Sequence, residues 1–148
     1  MDYPSVKNAA LGLLARREHS EYELRTKLKQ KFPVDEELLN TLVGELVGLN
    51  YLSDERFAEM YVRVRQSKGF GRERVMRDLQ EKGIASELAS NCIEQIDTWL
   101  ETATHVWQKK FGVPAEDYKS RMKQMQFLRY RGFTHQEAER VVAGCTFE

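Results

Sequence analysis

Leu28, Leu79 and Leu128 stand 51 and 49 positions apart, and each lies four positions before a helix-ending signal at Phe32, Gly83 or Gly132. The segments around them are loose copies: K-L-K-Q-K-F, D-L-Q-E-K-G-I and F-L-R-Y-R-G-F. A period near 50 residues restricts the chain to a tandem array of small units. Within each period the apolar residues recur at helical spacing, and no stretch alternates apolar and polar for long enough to make a strand. A lone helix cannot bury its apolar stripe, so three helices are close to the smallest group that covers itself. The expected fold is therefore all-α: three tandem three-helix units, at 1–52, 53–97 and 98–148, forming an elongated, curved helical-repeat protein.

The helix signals follow in order. Val6, Ala10, Leu13 and Leu14 share one face of a first helix over about 5–17. Ser20-Glu21-Tyr22-Glu23 is a capping box opening a second helix with Leu24 and Leu28 inward, ending near Phe32-Pro33. Asp35 caps a third with Leu38, Leu39, Leu42, Val43 and Leu46 inward; Gly44 and Gly48 weaken it and are read as places for a neighbouring helix to approach. Ser53 or Asp54 caps a fourth, whose buried stripe is predicted as Phe57, Met60, Tyr61 and Val64. Gly69-Phe70-Gly71 breaks the chain before a fifth helix burying Val75, Met76 and Leu79. Phe70 is read as a plug for that corner or as a partner contact. Ser86 caps a sixth helix with Leu88, Ala89, Cys92, Ile93 and Ile96. A seventh, capped by Thr98 in a box with Glu101 or else by Asp97, carries Trp99, Ala103, Val106, Trp107 and Phe111. Helix eight runs about 117–131 with Met122, Met125 and Leu128 on one side; Phe127 and Tyr130 lie off it, for a neighbouring unit or an exposed contact. Thr134 and Glu137 box a ninth helix with Ala138, Val141 and Val142.

Charge is unevenly spread in a chain whose formal net charge is zero. From Arg63 to Lys82 there are seven basic and three acidic residues, and from Lys109 to Arg131 seven and two. Residues 35–50 and 86–101 each hold four acids and no base. The second helix of each unit is thus basic and the third acidic. The joint G-I-A-S at 83–86 resembles a helix-turn-helix corner, but the helix that would enter the major groove brings Glu87 and Glu94 toward phosphates. Contact with nucleic acid, if made, falls to the basic helices through phosphates, without base reading. The candidate partner-binding residues are Arg63, Arg65, Lys68, Arg72, Arg74, Arg77 and Lys82.

No catalytic constellation is visible. His19, His105 and His135 are isolated and read as surface or capping residues, with no Cys or His at metal-ligand spacing. Gly69-Phe70-Gly71 lacks the strand and third glycine of a nucleotide fingerprint. Neither a cofactor nor a metal is expected, nor an enzyme. Cys92 and Cys145 fall on apolar helical positions and read as buried thiols. No apolar run approaches the roughly 20 residues of a membrane span, and the N-terminus carries no signal-peptide pattern. A cytoplasmic monomer without membrane contact is expected.

The run Y-L-S-D-E-R-F-A-E-M-Y-V-R-V-R-Q-S-K-G-F-G-R-E-R-V-M-R-D-L-Q-E-K-G-I resembles the central signature of the bacterial RecX regulatory proteins. H-S-E-Y-E-L-R-T-K-L and F-L-R-Y-R-G-F resemble that family's first and last units. The matching positions are Asp54, Phe57, Ala58, Tyr61, Arg65, Gly69, Gly71, Leu79, Lys82, Gly83 and Ile84. Some members carry a longer, more basic leader than this one. The resemblance implies a non-enzymatic modulator that lies in the groove of the RecA filament on DNA. It would limit filament growth and depress ATP hydrolysis, strand exchange and co-protease activity. The basic ridge read from the residues suits such a groove and leaves room for weak phosphate contact with the DNA. The alternative is a sequence-nonspecific nucleic-acid-binding helical protein that competes for DNA directly.

Overall fold

A computed structural model describes residues 2–146, with side chains as far as Gly144. Among the described residues there are nine helices and no strand: α1 (Tyr3–Arg16), α2 (Glu21–Lys31), α3 (Glu36–Gly48), α4 (Asp54–Ser67), α5 (Arg72–Glu81), α6 (Ser86–Glu94), α7 (Trp99–Lys110), α8 (Tyr118–Tyr130) and α9 (His135–Thr146). Leu28, Leu79 and Leu128, the marks of the period, fall on α2, α5 and α8, and all three are fully buried. No helix is long and apolar enough to cross a membrane, and no group of three His, Cys, Asp or Glu side chains stands ready to hold a metal, among the described residues.

By compactness the chain divides into two units, Met1–Met60 with Leu79–Ala89 and Tyr61–Asp78 with Ser90–Glu148. In the first, Val6 and Ala10 of α1, Leu24 and Leu28 of α2, and Leu39, Leu42, Val43 and Leu46 of α3 form one core closed by Leu52. The i, i+3, i+4, i+7 spacing on α3 puts its four on a single face. Ser20 and Glu23 make the predicted capping box, and Asp35 accepts the amide of Leu38 at 2.8 Å. Ser20 Oγ also donates to Lys82 O at 2.7 Å, which docks the start of α2 on the turn after α5. Ser53, rather than Asp54, caps α4: its Oγ accepts the Arg56 amide, while Asp54 accepts the amide of Glu21.

In the second unit, Ala103, Val106 and Trp107 of α7 pack with Met125 and Leu128 of α8, Phe133, and Ala138, Val141 and Val142 of α9. The polar atoms in this core are satisfied. Trp107 Nε1 donates to Gln124 Oε1 at 2.9 Å, and Gln124 Nε2 donates to Val113 O at 3.1 Å. Thr134 and Glu137 form the predicted reciprocal cap of α9. Phe127 turns onto Phe111 of its own three-helix group, edge to face at 5.5 Å, whereas Tyr130 is exposed.

Several expectations need correction. Val64 is 40% exposed, and the buried row of α4 is Phe57, Ala58 and Val62. Arg65, three positions on from Val62, continues that row with a half-buried guanidinium where an apolar side chain would ordinarily stand. Gly44 and Gly48 face open space, so neither permits a close approach. Thr98 does not cap α7 through its side chain; its Oγ1 accepts from Gln66 Nε2 instead. Ser86 lies inside the first turn of α6, because the first helical bond runs from Ala89 to Ala85 O. His19 is buried rather than superficial. Cys92 is buried as read; the side chain of Cys145 lies outside the described residues.

Candidate partner-binding face

The corner predicted at Gly69-Phe70-Gly71 is built by a close approach of two backbones. The amides of Gly71 and Glu73 at the start of α5 donate to the carbonyls of Arg131 and Gly132 at the end of α8, both at 2.9 Å. Orphan donors of one helix thereby satisfy orphan acceptors of another. A Cβ on Gly71 would overlap the Gly132 carbonyl and the Phe133 nitrogen. Gly132 sits at φ 103°, and a Cβ there would overlap that of Arg74. Only glycine accommodates both demands at position 132.

This docking gathers three arginines about Phe70. Their guanidinium carbons lie 4.0 Å (Arg65), 4.6 Å (Arg131) and 5.0 Å (Arg74) from the ring centroid. The ring is half-buried, and its negative faces stabilise the clustered cations. Phe70 is thus less an apolar plug than a support for guanidinium groups. Arg131 also donates to Lys68 O at 2.9 Å and Gly69 O at 3.2 Å, completing the end of α4. Arg65 Nε stands 3.6 Å from Asp78 Oδ2, an ion pair too long for a hydrogen bond.

The seven residues singled out in the sequence therefore separate into two kinds. Arg72 is held by Glu137 at 2.8 Å, Lys82 by Glu23 at 3.3 Å and Arg65 by Asp78. Glu23 shows how such a site is tuned. Burial, the largest single influence, pushes its carboxyl up, but bonds from Arg17, the Ser20 amide and Lys82 together hold it below the ordinary carboxylate value. Arg74 lies over Phe70. Arg63, Lys68 and Arg77 are exposed and form no ion pair among the described residues.

Arg63 and Lys68 open onto a continuous seam between the end of α4 and α7, pinned by Gln66 Nε2 donating to Thr98 Oγ1 at 2.9 Å and Thr102 Oγ1 at 3.0 Å. Lys109, Lys110 and Arg131 line its far end. These three were outside the predicted set. Their signal was the basic excess from 109 to 131, which gives no indication that α7 and α8 end beside α4.

Comparison with known proteins places this architecture. Three family models of RecX match in tandem: the first three-helix domain at residues 7–36, the second at 53–93 and the third at 97–142. The regulatory protein RecX of Pseudomonas putida (strain GB-1) is 35% identical over 147 residues, covering 97% of this chain and 94% of that protein. The chain belongs to the RecX family. Regulatory protein RecX of Legionella pneumophila (strain Corby) is 41% identical over 128 residues, 85% of each chain. The crystal structure of RecX from Lactobacillus salivarius matches with a TM-score of 0.84 at 21% identity, covering 99% of this chain and 97% of that one. A second crystal structure, of regulatory protein RecX, gives 0.80 at 20% identity, covering 94% and 72%. These two extend the agreement to the fold of this RecX-family chain.

Proposed function

We propose that this RecX-family chain is a non-enzymatic cytoplasmic regulator that acts as a monomer on the RecA filament assembled on DNA. It inhibits filament extension and with it ATP hydrolysis, strand exchange and co-protease activity, and so modulates recombination and the SOS response. The units 1–52, 53–97 and 98–148 serve as its modules.

The observation that carries this reading is the division among the arginines and lysines of α4 and α5. Several are consumed by carboxylates of the same chain, while Arg63, Lys68 and Arg77 stand exposed without one among the described residues. An unpaired cation on a surface is inexpensive in water and gains most when an anionic partner removes that water. A nucleoprotein filament offers such partners in acidic side chains and phosphates. The relatives are named regulatory proteins, in keeping with a role exercised by binding.

The test is RecA ATP hydrolysis on single-stranded DNA with increasing amounts of the chain carrying Arg63→Glu and Arg77→Glu. Neither residue has a carboxylate partner among the described residues, so the fold and melting temperature are expected to be retained and inhibition lost. Full inhibition by the folded double variant would remove these two residues from the interface.

A further inference from the structure

The hollow at the far end of the α4–α7 seam encloses about 380 Å³ and is lined by Lys68, His105, Lys109, Lys110, Phe127 and Arg131 among others, none of them acidic. Lys68, Lys109 and Lys110 form no ion pair among the described residues. We propose that this hollow is a binding site for phosphate groups, taken from a free polyphosphate or from a nucleic-acid strand.

The simplest competing account is that the cations neutralise helix ends, since α4, α7 and α8 all finish here. A helix C-terminus carries only about half a negative charge. At the end of α4, the carbonyls of Lys68 and Gly69 are already bonded by Arg131. The end of α7 then offsets a fraction of one charge against three ammonium groups, and the excess remains. Two hydrogen bonds and its position over Phe70 hold Arg131, so the hollow keeps an anchored guanidinium beside its lysines. Lys110 Nζ lies 5.5 Å from the Phe127 ring centroid, which draws that ammonium toward the hollow rather than away from it. Lysine ammoniums bind phosphate as compact point charges, and several around one hollow match the closely spaced negative charges of a polyphosphate or a strand backbone. An acidic peptide is the competing occupant, and polyglutamate tests it. This inference does not rest on the RecA reading, and its test contains no RecA, so either can fail alone.

The experiment titrates the full chain with tripolyphosphate, with a short oligothymidylate and with polyglutamate, following backbone amide chemical shifts. The expected result is that the amides of Lys68, His105, Lys109 and Lys110 shift with the phosphate probes. K109E/K110E should weaken binding tenfold or more in a chain that is less stable but still folded at the temperature of the titration. Three phosphate contacts on a strand predict a log–log salt slope of about −2, at about 0.7 per contact. Shifts with both phosphate probes identify phosphate itself as the ligand; shifts with the oligonucleotide alone identify the strand as its source. Shifts elsewhere, equal binding of polyglutamate, or unchanged affinity in the double variant would overturn the proposal. The shift map of the unmodified chain decides the matter should that variant fail to fold.

Discussion

Arg72 Nη2 lies 2.8 Å from Glu137 Oε2, joining the first turn of α5 to the first turn of α9 across 65 positions of sequence. The Arg72 Nε donates to the same oxygen at 3.1 Å, while Glu137 Oε1 accepts the amide of Thr134. One carboxylate thus caps α9 and anchors an arginine that the sequence offers as a partner contact. Its side chain is only 10% exposed, so removing the arginine leaves a charge largely shut off from water. Arg72→Ala is expected to cost about 1–3 kcal/mol, measured by urea unfolding. That loss bears on stability, not on partner affinity, so Arg72→Ala is a poor probe of binding. An unfolding midpoint equal to that of the parent would show the pair to be idle.

The docking of α5 on α8 leads to a prediction about glycine. Gly71→Ala sets a methyl group against the Gly132 carbonyl and the Phe133 nitrogen, which are backbone and cannot rotate aside. Gly132→Ala adds the strain of a positive φ to an overlap with Arg74. Each is expected to destabilise by at least about 1–3 kcal/mol, whereas Gly44→Ala, on an open helix face, is expected to stabilise by up to about 1 kcal/mol. Thermal melts of the three variants check the ordering. A Gly71→Ala protein as stable as the parent would contradict this close approach.

What the sequence discloses and what it withholds have a common physical origin. The period marked by Leu28, Leu79 and Leu128, the capping box at Ser20 and the cap at Thr134 are local patterns, and each appears in the structure where its spacing puts it. The fate of the cations is not local. Arg72 finds Glu137, Lys82 finds Glu23, and Arg131 finds the carbonyls after α4, at sequence separations that no helical pattern encodes. Reading the basic helices as one ridge treated these cations alike, when folding had already matched several with carboxylates. The three-arginine surround of Phe70 was hidden for the same reason, since Arg131 arrives from another unit of the repeat.

His19 brings in pH. It is buried, with Nδ1 3.1 Å from Arg17 O and Nε2 2.9 Å from Lys27 Nζ, so the neutral ring donates to the carbonyl and accepts from the lysine. Burial foremost, with the charges of Arg17 and Lys27 adding to it, holds its pKa below the ordinary histidine value despite the opposing pull of the Arg17 carbonyl. Below an unfolded-state pKa of about 6.5 the unfolded chain takes up a proton that the folded chain resists. Stability from this site is therefore full above that value and falls as pH drops through and below it. Between about pH 5 and 7 the carboxylates stay ionised, so the histidine can be followed separately. Urea unfolding across this window is expected to show declining stability toward pH 5, and His19→Gln is expected to flatten the slope. An equal slope in that variant would assign the pH dependence elsewhere.

Phe70 and Arg74 allow the cation–ring arrangement to be separated from simple burial. Leucine at position 70 keeps an apolar side chain but lacks the ring's negative faces, leaving the guanidiniums of Arg65, Arg74 and Arg131 beside one another without that attraction. Partly exposed pairs of this kind contribute about 0.5–1 kcal/mol each, so Phe70→Leu is expected to lose about 1–3 kcal/mol. Single losses cannot exclude a packing defect, but a double-mutant cycle can. Arg74 has no ion pair among the described residues, so Arg74→Ala removes its contact with the ring without stranding a carboxylate. In the parent, Arg74→Ala is expected to cost about 0.5–1 kcal/mol; in the Phe70→Leu background, close to nothing. Phe70→Tyr, which retains the ring, should preserve the coupling. If Arg74→Ala costs the same in both backgrounds, the ring and the guanidinium are neighbours without energetic consequence, and the corner is held by the backbone bonds of Gly71 to Arg131 and of Glu73 to Gly132, with those of the Arg131 side chain to Lys68 and Gly69.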